Sequence, residues 1–148
     1  MEIDLIEQIC EYTLKEMIRL NHPWLYHIRF AICSNGLLYT TPKVQKFFKK
    51  YHNFISFAIS VDGDQKLHDK CRLDVNGNPT YDIVMNAVHL YKKQYGLLPD
   101  TKMTISPENI EYMYNALINL IKEEYTIVPL NCVFEKGWNY SHATILYY

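Results

Sequence analysis

Small polar and charged residues follow two apolar segments of this chain, and they are residue types that hydrogen-bond a polar ligand. The segment 60–63 (Ser-Val-Asp-Gly) comes directly after an apolar run over 54–59, and the segment 34–36 (Ser-Asn-Gly) follows a similar run over 28–33. In an open α/β sheet, side chains at the carboxyl ends of the strands face the ligand. The recurrence of such turns after successive strands therefore predicts one shared site. The alternative is that each is an ordinary turn, because Ser, Asn, Asp and Gly are common turn residues.

The later apolar segments end in the same way, with Thr104, Ser106 and Asn131. Within the whole predicted set only Asp62 is charged, and no glycine-rich phosphate loop is present. This set suits a polyhydroxyl or nucleoside ligand better than a phosphate. Ser106 also has a purely structural interpretation, since Ser106-Pro107 is typical of the first residues of a helix.

A third polar group, His68-Asp69 with Arg72, lies in a polar connection over 62–79, outside the predicted helices and strands. If this segment is helical, His68 and Arg72 are i,i+4 neighbours. The planar guanidinium of Arg72 is able to grip a carboxylate with two parallel hydrogen bonds. The alternative is a solvated loop with a surface Asp69–Arg72 pair, which contributes little. A metal site at His68, Asp69 and Cys71 is disfavoured, since no second cluster completes four ligands.

Hydrophobic periodicity predicts the helices and strands that position these residues. Helices alternate with short β-rich segments, which indicates parallel strands joined by right-handed crossovers with helices on one side of the sheet. Because the chain opens on a helix, we expect residues 1–148 to be a single partial domain, truncated at both ends. The predicted helices cover 3–20, 42–51, 81–95 and 107–124, and the predicted strands cover 25–33, 54–60, 101–105 and 127–134.

The bulk composition argues against several classes of partner. The 148 residues carry a net charge of −1, which gives no electrostatic case for nucleic acid or a membrane surface. No segment approaches the roughly 20 apolar residues of a membrane span, and no signal peptide is recognisable. The four cysteines are widely spread, so we expect reduced thiols, with Cys10, Cys33 and Cys132 buried, in a cytoplasmic protein.

The block Ser-x-Asp-Gly over 60–63, followed by His68-Asp69 and Arg72, resembles radical S-adenosylmethionine (AdoMet) enzymes. The strand that ends in Ser-Asn-Gly over 34–36 and the later Tyr81-Asp82 extend the resemblance over nearly the whole chain. It is strongest to the peptide- and protein-modifying branch that includes anaerobic sulfatase-maturating enzymes. The resemblance implies a partial TIM-like barrel, of which this chain forms the third to sixth strands. It also implies oxidoreductase chemistry on a peptide or protein substrate through a 5′-deoxyadenosyl radical.

The resemblance further implies roles for individual residues toward AdoMet. Ser60 is similar to a residue that touches the sugar or methionyl part, and Arg72 to the arginine that pairs with the methionyl carboxylate. Asn35 and its neighbour Ser34 would line the site, and Asp62 would shape the turn. The adenine would be bordered by Thr104 and Val133.

The chain departs from the family pattern in the residues that hold the 4Fe-4S cluster. The family's Cys-x3-Cys-x2-Cys and Gly-Gly-Glu motifs are absent from this sequence. We therefore expect a barrel portion before Met1 and an auxiliary-cluster domain after the chain, with no metal ligand or catalytic residue in this part. The competing hypothesis is a catalytically inactive α/β module that binds a nucleotide-like ligand or a peptide.

Overall fold

A parallel four-stranded sheet organises the chain in the computed structural model, which describes residues 2–135 and 137–147. The strands are β1 (Phe30–Ser34), β2 (Ile55–Ser60), β3 (Asp100–Ile105) and β4 (Leu130–Cys132), and they lie in sequential order with every pairing parallel. The helices are α1 (Ile3–Arg19), α2 (Pro42–Tyr51), α3 (Gln65–Cys71), α4 (Tyr81–Tyr95), α5 (Met113–Lys122) and α6 (Tyr140–Tyr147). The predicted α/β class with parallel strand–helix repeats is confirmed.

One face of the sheet carries the aromatic core. Phe57 on β2 packs against Phe48 of α2 and Tyr91 of α4, with ring centroids 4.6 and 5.5 Å apart. Side chains alternate across a strand, so the neighbours of Phe57 point to the opposite face. There Ser56 is exposed and Ala58 half-buried. The sheet is therefore covered by these helices on one face and open on the other.

Local sequence signals set most helix boundaries as predicted. Thr41 is the N-cap of α2, and Pro42 occupies the first helical position. The Thr41 hydroxyl does not cap the helix, because it donates to the Leu38 carbonyl. α4 ends at Gly96, which adopts the left-handed conformation at φ 76° that glycine tolerates without cost.

Two predicted strands are shorter than expected. The segment over 25–33 begins with a 3-10 turn, Pro23–Tyr26, because the His22 ring caps the Trp24 N–H and Pro23 fixes the backbone. The segment over 127–134 contributes only the three residues of β4 at the edge of the sheet. Leu130 is 40% exposed there.

Two further predictions are wrong. The segment 62–79 contains a helix, α3, whose first turn is capped by Asp64 accepting from the Leu67 N–H at 2.9 Å. The helix expected to start at Pro107 begins as a 3-10 turn at Ile110 and becomes α-helical at Met113. The reason is that the Ser106 N–H is taken by the Asn109 side chain at 2.6 Å, which closes a turn.

The four cysteines are free thiols, but their burial differs from the prediction. Cys10 on α1 is buried, whereas Cys33 is exposed and Cys132 is half-buried. Cys33 is exposed because it lies on the uncovered face of edge strand β1. Within the described residues, no helix is long and apolar enough to cross a membrane.

Candidate ligand-binding site

A cavity of about 430 Å³ opens at the carboxyl ends of β2, β3 and β4. This is the position at which parallel sheets bind ligands. Four of the residues predicted for the AdoMet site line it, together with residues from the end of α3 and from the turn after β3. The lining consists of Asp62, Lys70, Cys71, Arg72, Thr104, Ser106, Glu108, Asn109 and Val133. Asn131, which the sequence also suggested, is exposed on β4 and lies outside this set.

An ion pair with a buried carboxylate and a partly exposed guanidinium lines this cavity. Asp62, with only 2% of its side chain exposed, accepts from Arg72 Nε at 2.5 Å and from Arg72 Nη2 at 3.1 Å. The same carboxylate accepts the backbone N–H of Thr104 at 2.9 Å, which ties the end of β2 to β3. Asp62 therefore does more than shape its turn, because it joins two strands to the residue that caps α3.

The guanidinium of Arg72 is only partly used by Asp62. The pair occupies Nε and Nη2, and Nη2 also lies 3.4 Å from the Thr104 hydroxyl. The side chain of Arg72 stays 27% exposed and lines the cavity. An arginine has five N–H donors in a fixed fork. The edge that carries Nη1 can therefore serve a ligand.

His68 is completely buried behind this pair. Its Nδ1 lies 3.3 Å from the Asp62 backbone nitrogen, and its Nε2 lies 3.2 Å from the Thr80 hydroxyl. The Thr80 hydroxyl donates its one hydrogen to the Arg72 carbonyl at 2.7 Å, so it must accept from His68. The geometry thus assigns the neutral ring with the proton on Nε2. Burial lowers the pKa of His68, in agreement with a neutral ring.

Asp69 does not pair with Arg72, so the predicted surface ion pair is wrong. Its carboxylate accepts the backbone N–H groups of Thr80 and Tyr81, each at 2.8 Å, at the start of α4. These are donors that a helix cannot satisfy internally. Asp69 therefore fixes α4 onto α3, and Arg72 is free to turn toward Asp62.

Gly63 is required by close packing at the base of the site. It has φ +96°, and a Cβ placed on it would lie 2.1 Å from the Ala116 Cβ of α5. The Gly63 carbonyl also accepts from the Asn119 side chain at 3.3 Å. The Asp-Gly pair of the sequence motif thus has two separate functions: Asp62 binds Arg72, and Gly63 lets α5 approach the sheet.

Three predicted site residues, Ser34, Asn35 and Ser60, do not line the cavity. Ser34 Oγ accepts the Gly36 N–H at 3.1 Å, and Asn35 Oδ1 accepts the Leu37 N–H at 3.3 Å. Both side chains therefore stabilise the turn in which they lie. Ser60 lies on the open face of β2, with its hydroxyl 3.9 Å from the Cys33 sulfur. The structure therefore brings Asp62, Arg72, Thr104 and Val133 together and leaves these three outside the group.

Sequence reasoning missed several lining residues on α3 and the turn after β3. Lys70 and Cys71 precede Arg72, and their place at the end of a helix was hidden because 62–79 was assigned no helix. Asn109 donates to the Cys71 sulfur at 3.6 Å and accepts from Ser106. The sequence signal for this turn was Asn109 itself, since an Asn side chain competes for nearby backbone groups.

The four cysteines are not gathered into a metal centre. Across the described residues, no group of three His, Cys, Asp or Glu side chains is placed to hold a metal ion. The cavity instead offers two hydroxyls, one amide, one thiol, one aliphatic side chain and the charged groups of Asp62, Lys70, Arg72 and Glu108. These are groups that recognise a polar organic molecule.

The fold and this site place the chain among α/β proteins with a polar cavity above a parallel sheet. No protein-family model matches it. A stretch of 75 residues is 33% identical to the cysteine-type anaerobic sulfatase-maturating enzyme of Clostridium novyi (strain NT), covering 49% of this chain and 19% of that enzyme. The resemblance noted from the sequence is confirmed over this stretch. The match spans less than a fifth of the relative's length.

Solved structures share the fold over most of the chain. Native anSMEcpe with bound AdoMet and Kp18Cys peptide aligns with a TM-score of 0.66 and 16% identity, over 90% of this chain and 40% of that one. Native anSMEcpe with bound AdoMet aligns with a TM-score of 0.62 and 17% identity, over 88% of this chain and 36% of that one. At this identity the likeness concerns the fold, and less than half of either structure is covered.

Proposed function

We propose that this chain is part of the barrel of a radical AdoMet enzyme that modifies a peptide or protein, and that its role is to bind and orient AdoMet. The observation that carries the proposal is the cavity at the carboxyl ends of β2–β4, with an arginine edge beside a hydroxyl. The 33% identity to an anaerobic sulfatase-maturating enzyme supports the same assignment. Residues 1–148 then form one partial barrel domain, to which further segments add.

The residues present fit AdoMet in chemical type. The Nη1 edge of Arg72 suits a carboxylate oxygen, because N–H donors on a charged group make strong hydrogen bonds. The Thr104 hydroxyl can bind a sugar hydroxyl, and the half-buried Val133 offers an apolar contact for the adenine ring. We propose Arg72, Thr104 and Val133 as contacts and Asp62 as the partner of Arg72.

Ser34, Asn35 and Ser60 have a different proposed position. Ser60 and Cys33 lie on the open face of the sheet, and Ser60 pairs with Lys102, two residues before the cavity residue Thr104 on the same face of β3. A ligand that extends from the cavity across this face would meet Ser60 before Ser34 and Asn35. We propose these three as outer contacts of AdoMet or of the peptide.

The residues described here do not fit a 4Fe-4S cluster. Cys10 is buried on α1, Cys33 lies on β1, and Cys71 and Cys132 lie on α3 and β4, with no two bonded to each other. Under this proposal, the cluster ligands belong to a segment outside the described residues, as does any auxiliary-cluster domain. The free thiols support a reducing, cytoplasmic location, and the net charge of −1 gives no reason to propose nucleic acid or membrane partners.

A titration of the ¹⁵N-labelled chain with AdoMet, followed by NMR, tests the binding role. We expect shifts at the Thr104 and Val133 amides and at the Arg72 side chain, with saturation below about 5 mM AdoMet. ATP and free methionine serve as comparison ligands. Equal or stronger shifts with ATP would favour the inactive nucleotide-binding module. No shift at these residues up to that AdoMet concentration would overturn the proposal.

A further inference from the structure

We infer that Asp62 is a positioning residue, which holds the guanidinium of Arg72 in the cavity wall and is itself held by His68. The inference deepens the proposed function and rests on it for the identity of the ligand. Its structural part stands on the hydrogen bonds of this chain alone. The name "positioning network" is used below for Asp62, His68, Arg72 and Thr80.

The positioning network is a closed ring of hydrogen bonds. The Asp62 N–H donates to His68, His68 donates to Thr80, and Thr80 donates to the Arg72 carbonyl. The Arg72 side chain then returns to the Asp62 carboxylate through Nε and Nη2. Asp62 and Arg72 are thus joined twice, once through their backbones and once through their side chains.

Burial makes this ring rigid. Asp62, His68 and Thr80 are 2%, 0% and 3% exposed, so water does not compete for their hydrogen bonds. A buried polar network in which every member is satisfied fixes a single arrangement. Arg72 carries the guanidinium from this ring into the cavity wall. The ring therefore determines where the remaining N–H donors of Arg72 point.

The direction of these donors decides how a ligand is bound. The Asp62 carboxylate accepts from Nε and Nη2, which form one edge of the Arg72 guanidinium. The N–H groups of Nη1, on the other edge, can then donate to a ligand. Without Asp62, the long side chain of Arg72 would sample several rotamers and could present either edge. Asp62 also cancels the charge of Arg72 at close range, so the ligand is held by directed N–H donors more than by net charge.

Asp62→Asn tests the inference, because it keeps the shape of the side chain and its oxygen for the Thr104 N–H but removes the charge and one acceptor. We expect about a tenfold weaker affinity for AdoMet, since Arg72 loses its fixed geometry. The NMR signal of the Arg72 Nε–H should move toward the position of a free arginine and exchange faster with water. Asp69→Asn is the matched control, because Asp69 holds two backbone N–H groups of α4 and does not contact Arg72.

The outcomes separate positioning from general stability. If Asp69→Asn weakens AdoMet binding and alters the Arg72 signal as much as Asp62→Asn, the network is only structural and the inference is overturned. If Asp62→Asn fails to fold, the NMR spectrum of the wild-type chain tests the inference instead. An Arg72 Nε–H signal at the position of a free arginine would overturn the inference. If the wild-type chain binds no AdoMet, the proposed function fails, while the Arg72 signal in Asp62→Asn still tests the positioning.

Discussion

Two turns of similar composition follow neighbouring strands, and they have different roles in the structure. The turn after β2 carries Asp62 and Gly63, which contact α3, β3 and α5. The turn after β1 carries Ser34 and Asn35, whose side chains bond to the next residues of the same turn. Residue type and position after a strand are therefore insufficient to identify a site. What distinguishes the two turns is the presence of partners far away in the sequence.

The largest expected difference in unfolding free energy between variants of the two turns comes from the buried charge of Asp62. Arg72→Ala leaves the Asp62 carboxylate buried without its cation, which costs about 3–5 kcal/mol of unfolding free energy. The measurement is urea unfolding followed by circular dichroism. A second change, Asp62→Asn in the same chain, should restore part of the loss because the amide carries no charge. A loss below about 1 kcal/mol for Arg72→Ala would show that water reaches the carboxylate.

The next largest difference in unfolding free energy comes from close packing at the glycine of each turn. Gly63→Ala forces a methyl group to within 2.1 Å of the Ala116 Cβ and 2.6 Å of the Ala116 Cα. We expect a loss of about 2–4 kcal/mol, from overpacking together with the left-handed backbone. Gly36→Ala is the matched change after β1, where the nearest atom is 3.0 Å away on the Ile59 side chain. It should cost about 1–2 kcal/mol. Equal losses in thermal or urea unfolding would contradict the contrast.

The buried histidine makes the network sensitive to pH. Burial lowers the pKa of His68 in the folded chain, so below the ordinary value of about 6.5 the unfolded chain binds this proton more readily. The free energy of unfolding should therefore fall as the pH decreases from about 6.5, by at most about 1.4 kcal/mol per pH unit. Urea unfolding between pH 7 and 5 measures this slope. His68→Gln should flatten it, and an unchanged slope in this variant would contradict the prediction.

The smallest effect is expected at the turn after β1. Ser34→Ala removes one hydrogen bond to the Gly36 N–H in a partly exposed turn, and should cost about 0.5–1 kcal/mol. Urea unfolding measures this loss beside that of Arg72→Ala. A loss of unfolding free energy as large as that of Arg72→Ala would show that Ser34 has a partner outside its turn. The two turns would then not differ in the way described above.

The fold was predictable because periodicity and helix signals act locally. The helices at 42–51 and 81–95 follow from spacing, a proline at the first turn and a terminal glycine. The helix α3 was missed because it is short and lies between polar segments, and its stability comes from Asp64 and from the buried His68. β4 was predicted too long because Pro129, which has no N–H to donate to a neighbouring strand and is typical of an edge strand or a strand start, was not taken as its limit.

The site was predictable in its residue types but not in its pairings. Arg72 was identified as a residue that grips a carboxylate, and in the structure it grips that of Asp62. Asp69 is adjacent in sequence to the predicted site, yet it caps α4. These pairings depend on the separation of β2, α3 and β3 in space, which sequence spacing leaves undetermined.

The sequential strand order has a consequence for how the chain folds during synthesis. β1 and β2 can pair as soon as Ser60 has left the ribosome, because each strand pairs with its neighbour along the chain. The carboxylate of Asp62 completes its hydrogen bonds only after Thr104, which emerges much later, has been made. A nascent chain shorter than this length lacks the Thr104 N–H and the rest of β3 and β4, so its cavity is incomplete. The ligand site is thus among the last parts of the described protein that translation can finish.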